Sequence, residues 1–492
     1  MSSVTVVGAG AVGLTLAGRL AQLGVAVHIF EAAHEPERVG SRAICMQRET
    51  LEIWQRLGIG DAVASRGVQW RTGRTYLRGR ELFSVELPGG GDEHFPPFVN
   101  ISQSEVEELL IDRLRELDVP IHPGHRFVGV EQDAVGVIAT FATEHGDVAH
   151  RSTYLVGTDG AHSSVRHAIG VGFPGHTIAD RFLIADIRAE LPFSNERHFH
   201  FDPPWNPGRQ VLIHPQPDGV WRVDWSVPAD VDPDAEASDG RLDERIRQVI
   251  GRDVPYELQW ITAYRFSQRL ADAFRHRRVF LAGDAAHVMS PFGARGLNSG
   301  VADAENLAWK LASVLQGASP DTLLDTYDTE RRPAALDNLA ATAATMRFMA
   351  PHGRLRRARR DLVLQLAPRL AWFRRRVDSG SLAQPATYAA SSIVTSGHGA
   401  VMPDLFLRDG GRLRDELGRG FTAVTDRPMP RAFGVPALIV AAKLDGRVLI
   451  VRPDGHVADS LPSDAATSDE LAVRIDMARA GTDQRRQPPI RA

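Results

Sequence analysis

Residues 4–31 read VTVVGAGAVGLTLAGRLAQLGVAVHIFE, and this stretch decides the fold. Val4 to Val7 is a short β-branched run of the kind that forms a buried strand. Gly8, Gly10 and Gly13 follow as G-x-G-x-x-G, after which Ala11, Leu14, Leu16, Ala17, Leu20 and Leu23 fall at helical spacing. A second strand, Val25 to Phe30, ends in Glu31. Gly8 allows a tight turn, Gly10 lets the backbone approach a pyrophosphate, and Gly13 lets helix and strand pack closely. The pyrophosphate would sit on amides at the start of the helix, around Ala11, where the helix end is positive. Glu31 is placed to accept hydrogen bonds from ribose hydroxyls and would repel a 2′-phosphate. Strand, triplet, helix, strand and acid in this order predict a dinucleotide. They do not separate NAD from FAD.

That separation comes from far downstream. Arg278 to Ala282 reads as a buried strand ending in Gly283 and Asp284, and an Asp beside a glycine at a strand end is placed to bind a polyol such as ribityl. A loop through Ser290, Pro291, Phe292 and Gly293 leads to Gly296, Leu297 and Asn298, and then to a helix with Val301, Leu307, Ala308, Leu311 and Leu315 along one stripe. The positive end of that helix would stabilise the charge of a reduced flavin. Between the two constellations lies a third strand, Tyr154 to Val156, followed by GTDGAHSSVR at 157–166.

Together these residues resemble the class A flavoprotein monooxygenases, those with the p-hydroxybenzoate hydroxylase fold. The glycine triplet, the Asp159-Gly160 pair and the Gly283-Asp284 pair stand in the family order, and the resemblance covers most of residues 1–345. It implies FAD, held non-covalently, with NADH or NADPH and O₂ as co-substrates and a flavin C4a-hydroperoxide as the oxygen donor to an aromatic ring. On this match Arg42 and Gln103 contact the flavin, Glu31 the adenosine ribose and Asp284 the ribityl chain. Leu297 and Asn298 meet the isoalloxazine edge, and the Asp159 segment serves both nucleotides. Two departures concern the pocket over the flavin: Ser290 stands where a proline is common, and the loop reads GARGLNSG. Plainer alternatives are surface ion pairs for Arg42 and Arg166, helix capping for Asp159, packing for His287 and a buried inert thiol for Cys45.

The expected fold is α/β: a Rossmann-like FAD-binding domain (1–175 and 271–345) with an inserted, mostly antiparallel substrate domain (176–270). A helical linker (346–394), a thioredoxin-like C-terminal domain (395–475) and a flexible tail (476–492) follow. In the insert, Trp221, Val223 and Trp225 alternate with Arg222, Asp224 and Ser226, and Phe199 and Phe201 alternate with His198 and His200, which predicts an antiparallel sheet with one polar and one apolar face. His198, His200, His214, Arg222 and Tyr264 are the polar candidates for meeting a phenolic substrate, and none is assigned a catalytic role. The Arg-rich stretch at 354–376, interrupted by Pro368, reads as a solvated helix face bridging two domains. PALIVAA and RVLIVRPDG, joined through an Asp-Gly turn, resemble strands of the tail domain found in phenol, hydroxyphenylpropionate and polyketide hydroxylases. The tail has no cysteine, so thiol–disulfide chemistry is impossible there and structure or a homodimer contact is left.

Composition fixes the outer limits. With 57 Lys and Arg against 61 acids and a net charge of −4, the chain is not built to bind a polyanion. One cysteine excludes an intrachain disulfide and a cysteine-rich metal cage, and no metal set is found. No secretory signal or membrane span is read, so the expectation is a cytoplasmic enzyme taking a small aromatic substrate, with no nucleic-acid or membrane partner. The rival is a non-hydroxylating flavin oxidoreductase on the same fold, a Baeyer–Villiger-type oxygenase or a reductase. A non-enzymatic flavin sensor would bind FAD without oxidising NAD(P)H.

Overall fold

Strands Val279–Leu281, Tyr154–Gly157, Ser3–Val7 and Ala26–Phe30 lie side by side and parallel, with Val7 in register with Gly157 and Gly157 with Leu281. Parallel strands end at one edge of their sheet, so the three motifs, far apart in sequence, emerge together. Arg275–His276 and Ile121–His122 complete the six-stranded sheet. Val4, Val6, Leu155, Val156, Phe280 and Leu281 are fully buried, as a sheet covered on both faces requires. This is a computed structural model, describing residues 3–35, 43–87, 93–290, 293–349, 351, 353–366, 384–428 and 436–481.

Helices Ala11–Gln22 and Gly296–Leu315 cover one side of that sheet, and glycines set how closely they approach. A Cβ on Gly13 would lie 2.1 Å from the Gly8 carbonyl oxygen, and one on Gly300 would lie 2.6 Å from Val12 Cγ2. The two nucleotide-facing turns are thus locked together through the helices behind them.

The large sheet has eight strands, and it corrects the expectation of one polar and one apolar face: each face carries an apolar cluster covered by helices. Trp221, Val223, Trp225 and Val227 pack with Leu183, Ile187 and Ile213 under helix Arg241–Ile250, through its Leu242, Ile246 and Ile250. The opposite face carries Phe182, Ile184, Phe199, Phe201, Leu212 and Phe266, closed by Met346 and Leu364 from helices Asp325–Met349 and Arg354–Leu366. The sheet also takes strands Thr72–Leu77 and Arg80–Glu86 from the first part of the chain, and Arg197–Phe201 pairs with Thr72–Leu77 in parallel. The alternation of residues 197–226 says nothing of this recruitment, because a parallel partner is chosen by the fold.

The tail is a mixed sheet of Ala437–Ile439, Thr422–Thr425, Arg447–Val451 and Val457–Pro462, closed by helix Ser468–Ala480. It shares a core with the flavin domain: Trp309 and Leu323 pack among Phe421, Val448, Ile450 and Leu471. Burying such side chains stabilises the interface by about 1.5–3 kcal/mol each. The Arg-rich helix is described only to Leu366, and the Pro368 interruption lies outside the described residues.

Candidate active site

The glycine loop is wired on both sides. Gly8 N donates to Phe30 O (2.8 Å), Thr158 N donates to Val7 O (2.8 Å), and Thr158 Oγ1 donates to Val7 O and Gly8 O. Gly8 takes φ +107°, a region closed to other residues at low cost. Glu31 Oε2 accepts from Ala9 N at 2.8 Å and Oε1 from Ala33 N at 2.9 Å. Ala11 N donates to Glu107 Oε1 at 3.0 Å, and the same oxygen accepts from Gln103 Nε2 at 2.8 Å. Two carboxylates therefore already sit on amides of this turn, which is the behaviour of an anion-binding helix start. Glu107 is not legible in the glycine motif, and its only signal is its place one helical turn after Gln103.

Ser163 caps the short helix Ser164–Ala168, its Oγ accepting from Arg166 N (2.9 Å). The Asp159 carboxylate supports that cap by accepting from Ser163 Oγ (2.5 Å) and Val165 N (3.0 Å), while burial pushes its carboxyl up. The cap position expected for Asp159 is thus held by Ser163, with Asp159 bonded behind it. The open φ of +81° at Gly160, with nothing near the position of a Cβ, leaves space in front of the turn. Arg166 corrects the surface ion-pair alternative. It is buried, donates to Ala285 O (2.8 Å) and Ala161 O (2.9 Å), and lies 3.8 Å over the Phe173 ring. Arg42 and Pro291 lie outside the described residues.

Asp284 stands half-buried in the turn Gly283–Ala285. Behind it sits Asp303, which accepts from Gly283 N (3.0 Å), His287 Nε2 (2.6 Å) and Arg331 Nε (2.7 Å) and is fully buried. Burial would raise the Asp303 carboxyl, but His287 and Arg331 outweigh it and hold it below the usual carboxylate range. His287 is a packing residue with a specific partner.

Helix Gly296–Leu315 makes its first backbone bond from Ser299 N to Arg295 O (2.8 Å), so the amides of Gly296, Leu297 and Asn298 precede that ladder. The Asn298 side chain is fully engaged within the protein. Its Oδ1 accepts from Gln47 N (2.9 Å) and Thr50 Oγ1 (2.6 Å), and its Nδ2 donates to Cys45 O (3.0 Å) and Ala294 O (2.5 Å). That side chain is spent on the protein, tying strand Cys45–Gln47 to the loop, and leaves only its backbone for a ligand. Cys45 is held as the thiol, because burial pushes it up to about 12.

On the large sheet the polar candidates divide. His198 and His200 are on the face with Tyr76, His200 stacking on its ring at 4.4 Å and His198 packed on Phe193 at 4.8 Å. Register places Trp260, Asp186, Arg222 and His214 in one row on the opposite face, the one without helix Arg241–Ile250. Arg222 is spent on Asp186 through two bonds of 2.8 and 2.7 Å, and Gln216 Nε2 donates to the same carboxylate. His214 stays neutral, its pKa lowered to about 3 by burial and by Arg197 and Arg222. Tyr264 lies on this face beside Phe182.

Nucleotide loops on one parallel edge, beside a two-faced sheet with an aromatic interior, define a flavoprotein monooxygenase of the p-hydroxybenzoate hydroxylase fold. The FAD binding domain family matches residues 1–342, more than half of the 492, and the chain belongs to that family. It is 32% identical to a flavin-dependent monooxygenase of Mycobacteroides abscessus, over 96% of this chain and 99% of that protein. It is 30% identical to a rifampicin monooxygenase of Rhodococcus hoagii, over 93% and 95%. Among solved structures, OxyS anhydrotetracycline hydroxylase from Streptomyces rimosus superposes with a TM-score of 0.79 at 27% identity, covering 98% and 99%. The flavin-dependent monooxygenase PieE, solved with FAD and substrate, shares the fold with a TM-score of 0.82 at 23% identity, over 97% and 99%. The protein is a FAD-dependent aromatic monooxygenase that uses NAD(P)H and O₂. No described helix is long and apolar enough to cross a membrane.

Proposed function

We propose that this monooxygenase hydroxylates a phenolic, polyketide-like aromatic lying between strand Cys45–Gln47 and the aromatic face of the large sheet. The amides around Gly10 and Ala11 take the pyrophosphate of FAD, Glu31 the adenosine ribose, Asp284 the ribityl chain, and the backbone of Gly296, Leu297 and Asn298 the isoalloxazine edge. Gln103, Arg42 and Pro291 complete the cofactor contacts, and Asp159 with Gly160 shapes the turn beside them. The carrying observation is that Ala9 N and Ala11 N already hold carboxylate oxygens, so the turn takes anions. When bound, FAD supplies hydride acceptance and oxygen activation, and the protein contributes position and the exclusion of water. Related proteins named for 6-methylpretetramide and for hydroxyphenylpropionate support a hydroxylated aromatic. We place the enzyme in the cytoplasm with its NAD(P)H supply, and the tail as the surface of a homodimer.

The test is NAD(P)H oxidation by the FAD-loaded enzyme with resorcinol, 2-naphthol and 1,8-dihydroxyanthraquinone, with hydrogen peroxide quantified alongside. Strong stimulation with little peroxide and a product heavier by one oxygen is expected. Oxidation indifferent to every aromatic would overturn the reading.

A further inference from the structure

Among the described residues Asp224 Oδ1 has no hydrogen-bond partner, while Asp186 and Arg222 on the same face hold each other. Asp224 lies between Ile184 and Leu212 on the neighbouring strands, with Thr262 beyond Ile184. Its Oδ1 is buried and makes no hydrogen bond, although the residue as a whole is only half-buried. Arg222, the cation that acts on it, is two residues away on the same face and is bound through Nε and Nη2 to Asp186. The helices closing this face bring Met346 and Leu364, and also Arg360, which lies over the Phe201 ring and is paired with Asp361. Burial pushes the Asp224 carboxyl up to about 7, with Arg222 opposing and Asp186 adding to the rise, while His214 on the next strand is uncharged.

A lone buried carboxyl oxygen costs stability and returns nothing to the fold. Its place is among Phe182, Ile184, Leu212 and Phe266, a wall suited to a flat ring. The way from this wall to the flavin loop is short in contacts: Arg197 acts electrostatically on both His214 and Cys45, and the Cys45 carbonyl takes the Asn298 side chain. We propose that Asp224 accepts a hydrogen bond from the substrate's ring hydroxyl, orienting the ring and drawing the hydroxyl proton toward its carboxylate as the ring gives up electron density. The O–H bond is the one that weakens, and the proton moves to Asp224. The proposal rests on the phenolic reading above.

The experiment compares wild-type enzyme and D224N, both loaded with FAD, on each phenol of the panel and on its methyl ether. Expected in the wild type is a preference for phenol over ether of about a hundred-fold in kcat/KM, since a site built around a hydroxyl rejects its absence. D224N is expected to lose most of that preference through kcat, to release more peroxide, and to melt no lower than the wild type. D224L, matching Leu212 and Ile184, serves as a second variant should the amide not fold. Retention of the preference in D224N, or its absence in a wild type that hydroxylates phenols, overturns the proposal and leaves the aromatic reading standing. A lowered Tm in both variants overturns it too, because the carboxyl would then serve the fold. Indifference of the wild type to every aromatic sinks the underlying reading itself.

Discussion

Arg166, in the short helix that follows Asp159, donates a 2.8 Å hydrogen bond to the carbonyl oxygen of Ala285, in the turn that carries Asp284. One buried side chain thus joins two of the loops that converge on the flavin site. Replacing it with Met keeps some of its packing on Phe173 but leaves the Ala285 and Ala161 carbonyls unpaired. Each buried, unsatisfied acceptor costs about 1–3 kcal/mol. R166M is expected to lower Tm and to weaken FAD binding, measured by melting and by flavin-fluorescence titration. An unchanged flavin affinity would mean that the two turns are fixed without this bond.

Gly10 and Gly13 belong to one motif and do different work, which their variants should separate. A Cβ on Gly13 would lie 2.1 Å from Gly8 O and 2.6 Å from Thr158 Oγ1, so G13A has to distort the strand–turn–helix unit itself. A Cβ on Gly10 would meet only Glu107 Oε1, at 3.7 Å. G10A should therefore fold with a Tm near wild type yet bind FAD at least about ten-fold more weakly, if the backbone must approach the pyrophosphate there. G13A should lose several °C of Tm and its flavin together. Equal behaviour of the two variants would refute this division.

The glycine loop, the two strand-end acids and the strand alternation of the large sheet are legible in the sequence, because alternation and turn chemistry are short-range. That both faces of the sheet are apolar is not, because the helices that cover them come from elsewhere in the chain. Long-range pairing is not. Glu107, Asp303 and Arg331 are charged residues on helices, and no local pattern marks them as inward-facing. Asp303 and Arg331 are fully buried partners, and Glu107 meets the first helix 96 residues away. Asn298 reads as a ligand contact, but its side chain bonds residues 251 and 253 positions away. Arg222 and Asp224 alternate identically on one strand, and only the position of Asp186 on the neighbouring strand decides which of them is satisfied.

Asp303 makes the flavin site acid-sensitive. His287 and Arg331 outweigh burial and hold its carboxyl below the unfolded value, so the stabilisation is present above the usual carboxylate pKa and is lost as pH falls through the lowered one. D303N keeps the shape but leaves Arg331 as a buried charge, a loss of about 3–5 kcal/mol. Its melting temperature should fall well below the wild type at pH 7, and the gap should narrow as the wild type is titrated toward pH 3. A constant gap across that range would show that the charge of Asp303 contributes nothing.

Glu330 should decide whether the tail stays docked. Its two oxygens accept from Lys310 Nζ (2.7 Å), Arg452 NH1 and NH2 (2.7 and 2.9 Å), Asn306 Nδ2 (2.7 Å) and Ser391 Oγ (2.6 Å), all in the buried seam between flavin domain and tail. Such a network adds little net stability over an apolar seam of the same shape, and the apolar contacts of Trp309, Leu323 and Phe421 hold the interface. Removing one partner is different, because Lys310 then loses its carboxylate and Arg452 keeps only Asp454, one acid against two buried cations. E330Q is expected to lower stability by about 3–5 kcal/mol. It should also open the tail to limited proteolysis in the 384–428 segment while the flavin domain still resists. E330Q combined with K310M removes one of the cations and should recover part of the loss. A double variant no more stable than E330Q would show that the seam is held by shape alone.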